Sequence, residues 1–273
     1  MYKLNNIDLT TYSIVASQGP GSNIAVSGHW NLPNRTGKTF HSWGDENSIE
    51  AYTDASDLMF AGRDILFYAN IFGTNAAINT ALASLYLAIN AYTTLVVFST
   101  PYGDFSVQVK DVKVTRIFGA CSLVFAFREP VVVLTGGSLP STASNLYMFD
   151  GIPFVSFGLY TSKPNKLDNL PKLKKQFFTK YGSEGYEIVK RENTFLELNG
   201  FIIATNLADF QTKIKALYLL LSSAGTRTVV INGEYSGVTF VVGGFKVSDV
   251  TVLSNSVTAN FRCTFMVISS SYI

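Results

Sequence analysis

The sequence predicts a mainly β protein built as a tandem duplication, two antiparallel β-sandwich or barrel domains with one helix per repeat. Three observations point there. Two stretches repeat the same residues in the same order, apolar residues alternate with a period of two through both, and each copy holds a single stretch with apolar residues spaced by three and four.

The duplication is clearest at the helix. Setting ALASLYLAINAYTTLVVFSTPYG, from Ala81, over KIKALYLLLSSAGTRTVVINGEYSG, from Lys213, brings Leu85-Tyr86-Leu87 over Leu217-Tyr218-Leu219. One inserted residue then sets Val96-Val97 over Val229-Val230, Tyr102 over Tyr235 and Lys113-Val114 over Lys246-Val247, and a second sets Phe127-Arg128 over Phe261-Arg262. Upstream, Phe40, Trp43, Gly44 and Glu46 fall over Phe177, Tyr181, Gly182 and Glu184, and the openings YKLNNIDLTTYSI and YMFDGIPFVSFGL share a strand, turn and strand pattern. TGGSLPSTASN, from Thr135 to Asn145, has the composition of a linker. The expected organisation is a first domain over residues 1–132, a linker over 133–145 and a second domain over 146–273.

Each copy opens with a short strand pair, crosses a long polar loop and enters a strand before its helix. In the first copy Ile78, Leu82, Leu85 and Ile89 form the apolar stripe of NAAINTALASLYLAINAY, with Thr74 or Asn75 as cap. The strands TLVVFS, DFSVQVKDVKV and ACSLVFAFRE follow. In the second copy the stripe is Leu207, Phe210, Ile214, Leu217 and Leu221, with Asn206 as N-cap, Asp209 in the favourable first turn and Gly225 as the stop. TVVIN, GVTFVV, FKVSDVTVL and SVTANFRCTFMVI are its strands, and alternation is plain in Val257-Ala259-Phe261-Cys263-Phe265.

Over 273 residues, 47% are hydrophobic and only 15% charged, where soluble domains average about 25% charge. That excludes a disordered chain. The net charge of +2 proposes neither a nucleic-acid binder nor a membrane-surface protein. Charge is uneven: the first 146 residues hold 8 basic and 10 acidic groups, net −2, and the remainder 13 and 9, net +4. The basic cluster KPNKLDNLPKLKKQFFTKYG, from Lys163, reads as a solvated loop. Between Asp64 and Asp104 no charged residue occurs, a run long enough to cross a membrane. Its twin carries Asp209, Lys213, Lys215 and Arg227, and the run itself contains Asn70, Asn75, Asn79 and Asn90, so no span is expected. The uncharged helix and its strands are instead expected to be covered on more sides than their counterparts, by another domain or subunit.

The chemical inventory is thin. Cys121 and Cys263 lie in alternating runs and read as buried free thiols. His29 and His41 are the only histidines; a metal site would need Asp45 or Glu46 as a third ligand, at no recognised spacing. There is no nucleophile elbow, no GxxxxGK[ST] and no GxGxxG after a strand. The carboxylate pairs Asp54 with Asp57 and Glu184 with Glu187 suit solvated loops, and the sequon Asn34-Arg35-Thr36 has no secretory signal to give it meaning. No catalytic residue, cofactor or metal is therefore expected. Loop aromatics such as Tyr52, Tyr181 and Tyr186 leave a carbohydrate- or surface-binding β-sandwich module as an alternative, but low charge with abundant aromatics favours a structural subunit that buries area against its own copies.

The order of features resembles the tail-tube fold of long-tailed bacteriophages, and most closely the N-terminal ring domain of distal tail proteins. The residues that carry it are FDGIPFVSFGL, from Phe149 to Leu159, then LPKLKKQFFTKYGSEGYEI, the helix with ALYLLLSS, and the strands TVVINGEYSGVTFVV and SVTANFRCTF. The first copy repeats the plan with NNIDLTTYSI, RTGKTFHSWGDENSIEAY and ALASLYLAI. The resemblance implies a non-enzymatic virion protein of the phage tail, assembled in the bacterial host cytoplasm into a ring whose channel passes DNA, without membrane insertion. It implies a trimer whose six domains make a pseudo-hexamer, or a hexamer, at the distal tail or baseplate, with a repeating tail-tube subunit as the close rival. Partners would be its own copies and the tail proteins above and below. The family's long loop, matching Arg35 to Tyr52 and Lys172 to Tyr186, reaches the neighbouring subunit or the adjacent ring, which makes Trp43, Tyr52, Tyr181 and Tyr186 the candidate subunit-interface residues.

Overall fold

The computed structural model describes residues 1–43, 49–162, 164, 173–191 and 194–272. The first copy contributes β1 (Lys3–Leu4), β2 (Ile7–Asp8), β3 (Ile14–Ala16), β4 (Val26–Ser27), β5 (Arg35–Thr36), β6 (Phe40–Ser42), β7 (Ile49–Ala51), β8 (Met59–Phe60), β9 (Arg63–Phe72), α1 (Asn75–Asn90), β10 (Val96–Thr100), β11 (Gly103–Ile117) and β12 (Ala120–Glu129). The second contributes β13 (Met148–Phe149), β14 (Ile152–Pro153), β15 (Leu159–Thr161), β16 (Leu173–Lys180), β17 (Ser183–Arg191), β18 (Thr194–Ala204), α2 (Leu207–Ser222), β19 (Arg227–Ile231), β20 (Tyr235–Val241), β21 (Lys246–Val252) and β22 (Val257–Tyr272).

The protein is mainly β, with two eight-stranded sheets and, among the described residues, two α-helices. One sheet runs β2-β1-β10-β11-β12-β9-β3 with β4 on β9, the other β14-β13-β19-β20-β22-β18-β15 with β21 on β22. Set β1 on β13, β10 on β19, β9 on β18, and the two orders coincide, so the repeat is one of topology as well as residues. The opening strand pairs each lead into a 3-10 turn, Leu9–Tyr12 and Phe154–Phe157, closed by a left-handed residue, Ser13 at φ 57° and Gly158 at φ 70°. A Cβ on Gly158 would lie 2.4 Å from the Ile203 carbonyl oxygen, so this turn requires glycine.

Register corrects the alignment after the helix. Leu4 pairs with Phe98, and its twin Phe149 pairs with Val229. Phe98, not Val96, is therefore the counterpart of Val229; the sequence match was drawn by similar Val-Val pairs two residues out of step. With Phe98 opposite Phe105 and Val229 opposite Gly237, Gln108 becomes the twin of Phe240. Gln108 opposes Arg128 and Phe240 opposes Met266, which puts Arg128 level with Met266 rather than Arg262.

Both helices start as their caps dictate. The Thr74 hydroxyl accepts the Ala77 N–H at 3.3 Å, and the Asn206 side chain accepts the Asp209 N–H at 2.9 Å, each satisfying a donor with no intrahelical partner. Asp209 also accepts from the Thr205 N–H and pairs with Lys213 at 2.8 Å, one turn along.

The chain packs as two compact units, and each holds a segment from the other copy. The first unit comprises Met1–Pro33, Ala61–Val133 and Lys246–Ala259. Its core is an aromatic chain across the sheet, with ring centroids of Phe67 and Phe98 at 5.4 Å, Phe98 and Phe127 at 4.6 Å, and Phe67 and Phe125 at 5.6 Å. Such pairs contribute roughly 0.5–1.5 kcal/mol each beyond area burial. The segment 246–259 is held there by polar side chains acting as a surrogate strand: Asn23 accepts the Val252 N–H at 2.8 Å and donates to its carbonyl at 2.7 Å, and Ser22 accepts the Val250 N–H. Asn31 accepts the Val247 N–H.

The second unit comprises Asn34–Phe60, Leu134–Phe245 and Asn260–Ile273. Phe149 anchors its core against Phe154 at 4.4 Å and Phe265 at 5.6 Å, with Phe210, Ile214, Leu217 and Leu221 of α2 buried beside them.

Candidate subunit interface

The long loops of the two copies form arms. The first arm, residues 34–60, belongs to the second unit, where β5 pairs β8 and β6 pairs β7, with Phe40 opposite Ala51. Its root is tied by Arg35, which is buried and donates to the Tyr52 carbonyl at 2.6 Å. Burial lowers the Arg35 pKa, an effect the Asp57 carboxylate opposes. The arm docks through backbone and ring contacts. Asn34 accepts the Gly244 N–H at 2.6 Å, the Gly225 N–H donates to the Thr53 carbonyl at 2.8 Å, and the Phe40 ring lies 6.3 Å from that of Phe240. A small cleft beneath it is lined by Arg35, Thr53 and Leu58 from the arm and by Leu221, Gly225 and Arg227 from the body.

Arg227 shapes this seat. Its guanidinium donates to the carbonyls of Leu220 at 2.9 Å, Ser223 at 2.5 Å and Ala224 at 2.9 Å, and contacts the Asp150 carboxylate at 3.3 Å. It therefore closes the C-terminus of α2, where a cation is favoured and the last carbonyls lack partners. Arg227→Ala is expected to lower stability by about 2 kcal/mol, read as a shift of the urea midpoint; an unmoved midpoint would show that water replaces the guanidinium at no cost.

The second arm is the hairpin β16–β17. Tyr181 and Gly182 both have positive φ, 53° and 76°, the conformation a two-residue hairpin turn demands. Phe177 pairs with Tyr186, their rings 6.1 Å apart, and Phe178 lies over Gly185, where a Cβ would meet its ring at 2.9 Å. Among the described residues these two strands form a sheet of their own. Phe177 is 74% exposed, Tyr181 94% and Tyr186 55%. A lone two-stranded hairpin is marginal in water, and one with exposed aromatics is a template for pairing.

The sequence-predicted residues thus fall on the two arms. Tyr181 is the tip of the second and Tyr186 its aromatic face. Trp43 lies beside the His41 ring at 4.3 Å and is half-exposed, while Tyr52 is half-buried at the root of the first arm. Gly44, Asp45 and Glu46 lie outside the described residues. Phe177, Phe178, Arg35 and Arg227 were not among the interface candidates from sequence. The adjacent Phe177-Phe178 pair in a basic stretch was the available signal, since alternation places one ring on each face of a strand.

The expected deeper cover of the uncharged helix is reversed within the chain. At matched positions Tyr86 is 38% exposed and Tyr218 5%. Three residues of α1 are buried, Ile78, Leu82 and Leu85, against seven of α2. The linker lies on α2, where a Cβ on Gly137 would come 2.4 Å from the Lys215 carbonyl oxygen, and the first arm covers the helix end. Among the described residues, no linker or arm covers α1 in this way.

Among the described residues, the histidines gather no catalytic partners. His29 is buried in the first unit, its ring tilted against Trp30 at 3.9 Å and near Tyr102 and Phe105, and neither ring nitrogen makes a hydrogen bond. His41 belongs to the second unit and is exposed. Among the described residues no group of three or more His, Cys, Asp or Glu is placed to hold a metal. Cys121 and Cys263 are buried free thiols, and burial pushes the Cys263 thiol up. No helix among the described residues is long and apolar enough to cross a membrane.

Burial and the Arg63 charge push the His29 pKa from 6.5 down to about 3. An unfolded histidine takes up a proton near 6.5, so between those values the unfolded state binds more protons. Stability is expected to fall as pH drops through this window, by up to about 1.4 kcal/mol per pH unit. His29→Phe should flatten the dependence in urea melts, and an equal slope in both proteins would show that another group carries it.

No protein-family model matches this chain, and no curated protein matches it in sequence. Among solved structures it is similar to the SPP1 Dit (gp 19.1) protein, described as a paradigm of the hub adsorption apparatus in phages infecting Gram-positive hosts. The identity is 11%, the TM-score 0.37, and the match covers 99% of each chain.

Proposed function

We propose that this chain is a structural subunit of a bacteriophage tail, assembling with copies of itself into a ring around the DNA channel at the distal tail or baseplate. Two tube-like domains, over residues 1–132 and 146–273, would let three chains present six equivalent domains. The ring would contact the tail proteins above and below and let DNA pass without reading its sequence. It would be built in the bacterial host cytoplasm and carry no catalytic site.

The observation that carries this reading is the unequal fate of two equivalent arms. One is seated on a body of the second copy's fold, and the other exposes the rings of Phe177, Tyr181 and Tyr186. A subunit whose arm fits a neighbour's body makes a head-to-tail contact, and such contacts close into rings when the rotation permits. Native mass spectrometry and negative-stain micrographs test it: a trimer or hexamer with a central hole is expected, and a monomer at high concentration sinks the proposal. Copy number per virion separates a distal ring, with few subunits, from a repeating tube with many.

A further inference from the structure

We infer that the cleft between the first arm and the end of α2 binds one small monovalent anion of chloride size. Arg35 carries the inference, as a buried cation without a counter-ion. The residue is 8% exposed. One terminal nitrogen donates to the Tyr52 carbonyl at 2.6 Å and to the Asp57 carbonyl at 3.4 Å, and the Nε–H meets no acceptor. Among the described residues the guanidinium makes no ion pair. The Asp57 carboxylate acts on it only at longer range and does not offset the lowering of its pKa by burial. A guanidinium stays ionised inside a protein, and a charge held out of water is costly unless an opposite charge joins it.

The rest of the cleft suits such an ion. Leu58, Leu221, Phe240 and Val241 give it apolar walls, which keep the local dielectric low and strengthen attraction between ions, and Thr53 adds a hydroxyl. Arg227, the other cation of the cleft, is committed elsewhere: it donates to the carbonyls of Leu220, Ser223, Ala224 and Thr226 and pairs with Asp150. In doing so it masks the C-terminus of α2, the helix end that would repel an anion. Arg35 is left as the charge to be neutralised, and one charge calls for a monovalent ion. Size agrees, since the cleft has room for about one water-sized body. Chloride fits that space, whereas phosphate and sulfate are too large. A water molecule would satisfy the Nε–H and leave the charge. Because Arg35 stands at the root of the arm, the ion would help tie the arm to the body of the second unit.

The test follows thermal unfolding of the full chain in potassium chloride and in potassium gluconate, whose anion is too large for the cleft, at equal ionic strength. A melting temperature that rises more with chloride than with gluconate is expected, because a ligand held only by the folded state stabilises it by mass action. Arg35→Met, melted in the same two salts, separates the site from the general effect of each salt and should lose the chloride-specific rise. Equal melts of the wild-type chain in both salts overturn the inference and assign the cleft to water. A chloride-specific rise that survives Arg35→Met places the ion elsewhere and overturns it too. Should Arg35→Met fail to fold, wild-type crystals soaked in bromide decide: an anomalous peak beside Arg35 is expected, and its absence overturns the site. None of these outcomes bears on the ring reading, which rests on the arms and not on this ion.

Discussion

Replacing Phe177 and Tyr186 together by Ser is expected to leave a folded chain that no longer assembles. Both rings stand on the exposed second arm, so their loss removes little from either core. In a ring each would leave water, worth about 1.5–3 kcal/mol per large side chain. Loss of both should weaken each contact by on the order of 3–6 kcal/mol, at least ~100-fold in Kd. Sedimentation velocity reads the mass and circular dichroism the fold. A variant with wild-type mass would show that the arm is not the contact, and one that unfolds would show that the hairpin stabilises its own unit. A two-residue aromatic patch suffices because interfaces concentrate their energy in a few desolvated anchors.

Glu129→Gln is expected to cost about 3–5 kcal/mol of stability, because it leaves a buried guanidinium without its counter-ion. Arg63 Nε and Glu129 Oε2 are 2.6 Å apart, and each side chain is only 8% exposed. Arg63 also donates to the Asn31 carbonyl at 3.2 Å and places its guanidinium 5.6 Å from the Phe105 ring centre. Because Asn31 in turn holds the Val247 N–H, the damage should spread to the segment 246–259. Hydrogen exchange should show earlier opening there than in β9. The double variant Arg63→Met/Glu129→Leu is expected to be less destabilised than Glu129→Gln alone, since a matched apolar pair carries no desolvation penalty. Melting at the wild-type temperature by Glu129→Gln would show that the guanidinium finds another partner.

Much of each repeat was legible because its signals are local. Thr74 and Asn206 cap their helices as their side-chain chemistry requires, and the run ACSLVFAFRE forms β12 from its first residue to its last. The strand partners after the helix were less legible. Val96-Val97 and Val229-Val230 look alike, yet pairing with the opening strand sets Phe98 against Val229's place. A period of two makes a two-residue slip invisible to alternation, since every side chain keeps its face. The arms were legible as aromatic loops, but not the seating of the first on the second copy's body.

From sequence alone came the duplication, the two helices and the alternating strands, because periodicity and turn chemistry act over a few residues. The tertiary structure decided which body holds which segment. Tyr86 and Tyr218 stand in the same Leu-Tyr-Leu setting, one exposed and one buried. The local difference, Lys213 and Lys215 in the second copy against no charge in the first, points the other way. The difference lies in the linker and in an arm contributed from far along the chain, and such cover depends on complementary surfaces that form only once both bodies have folded.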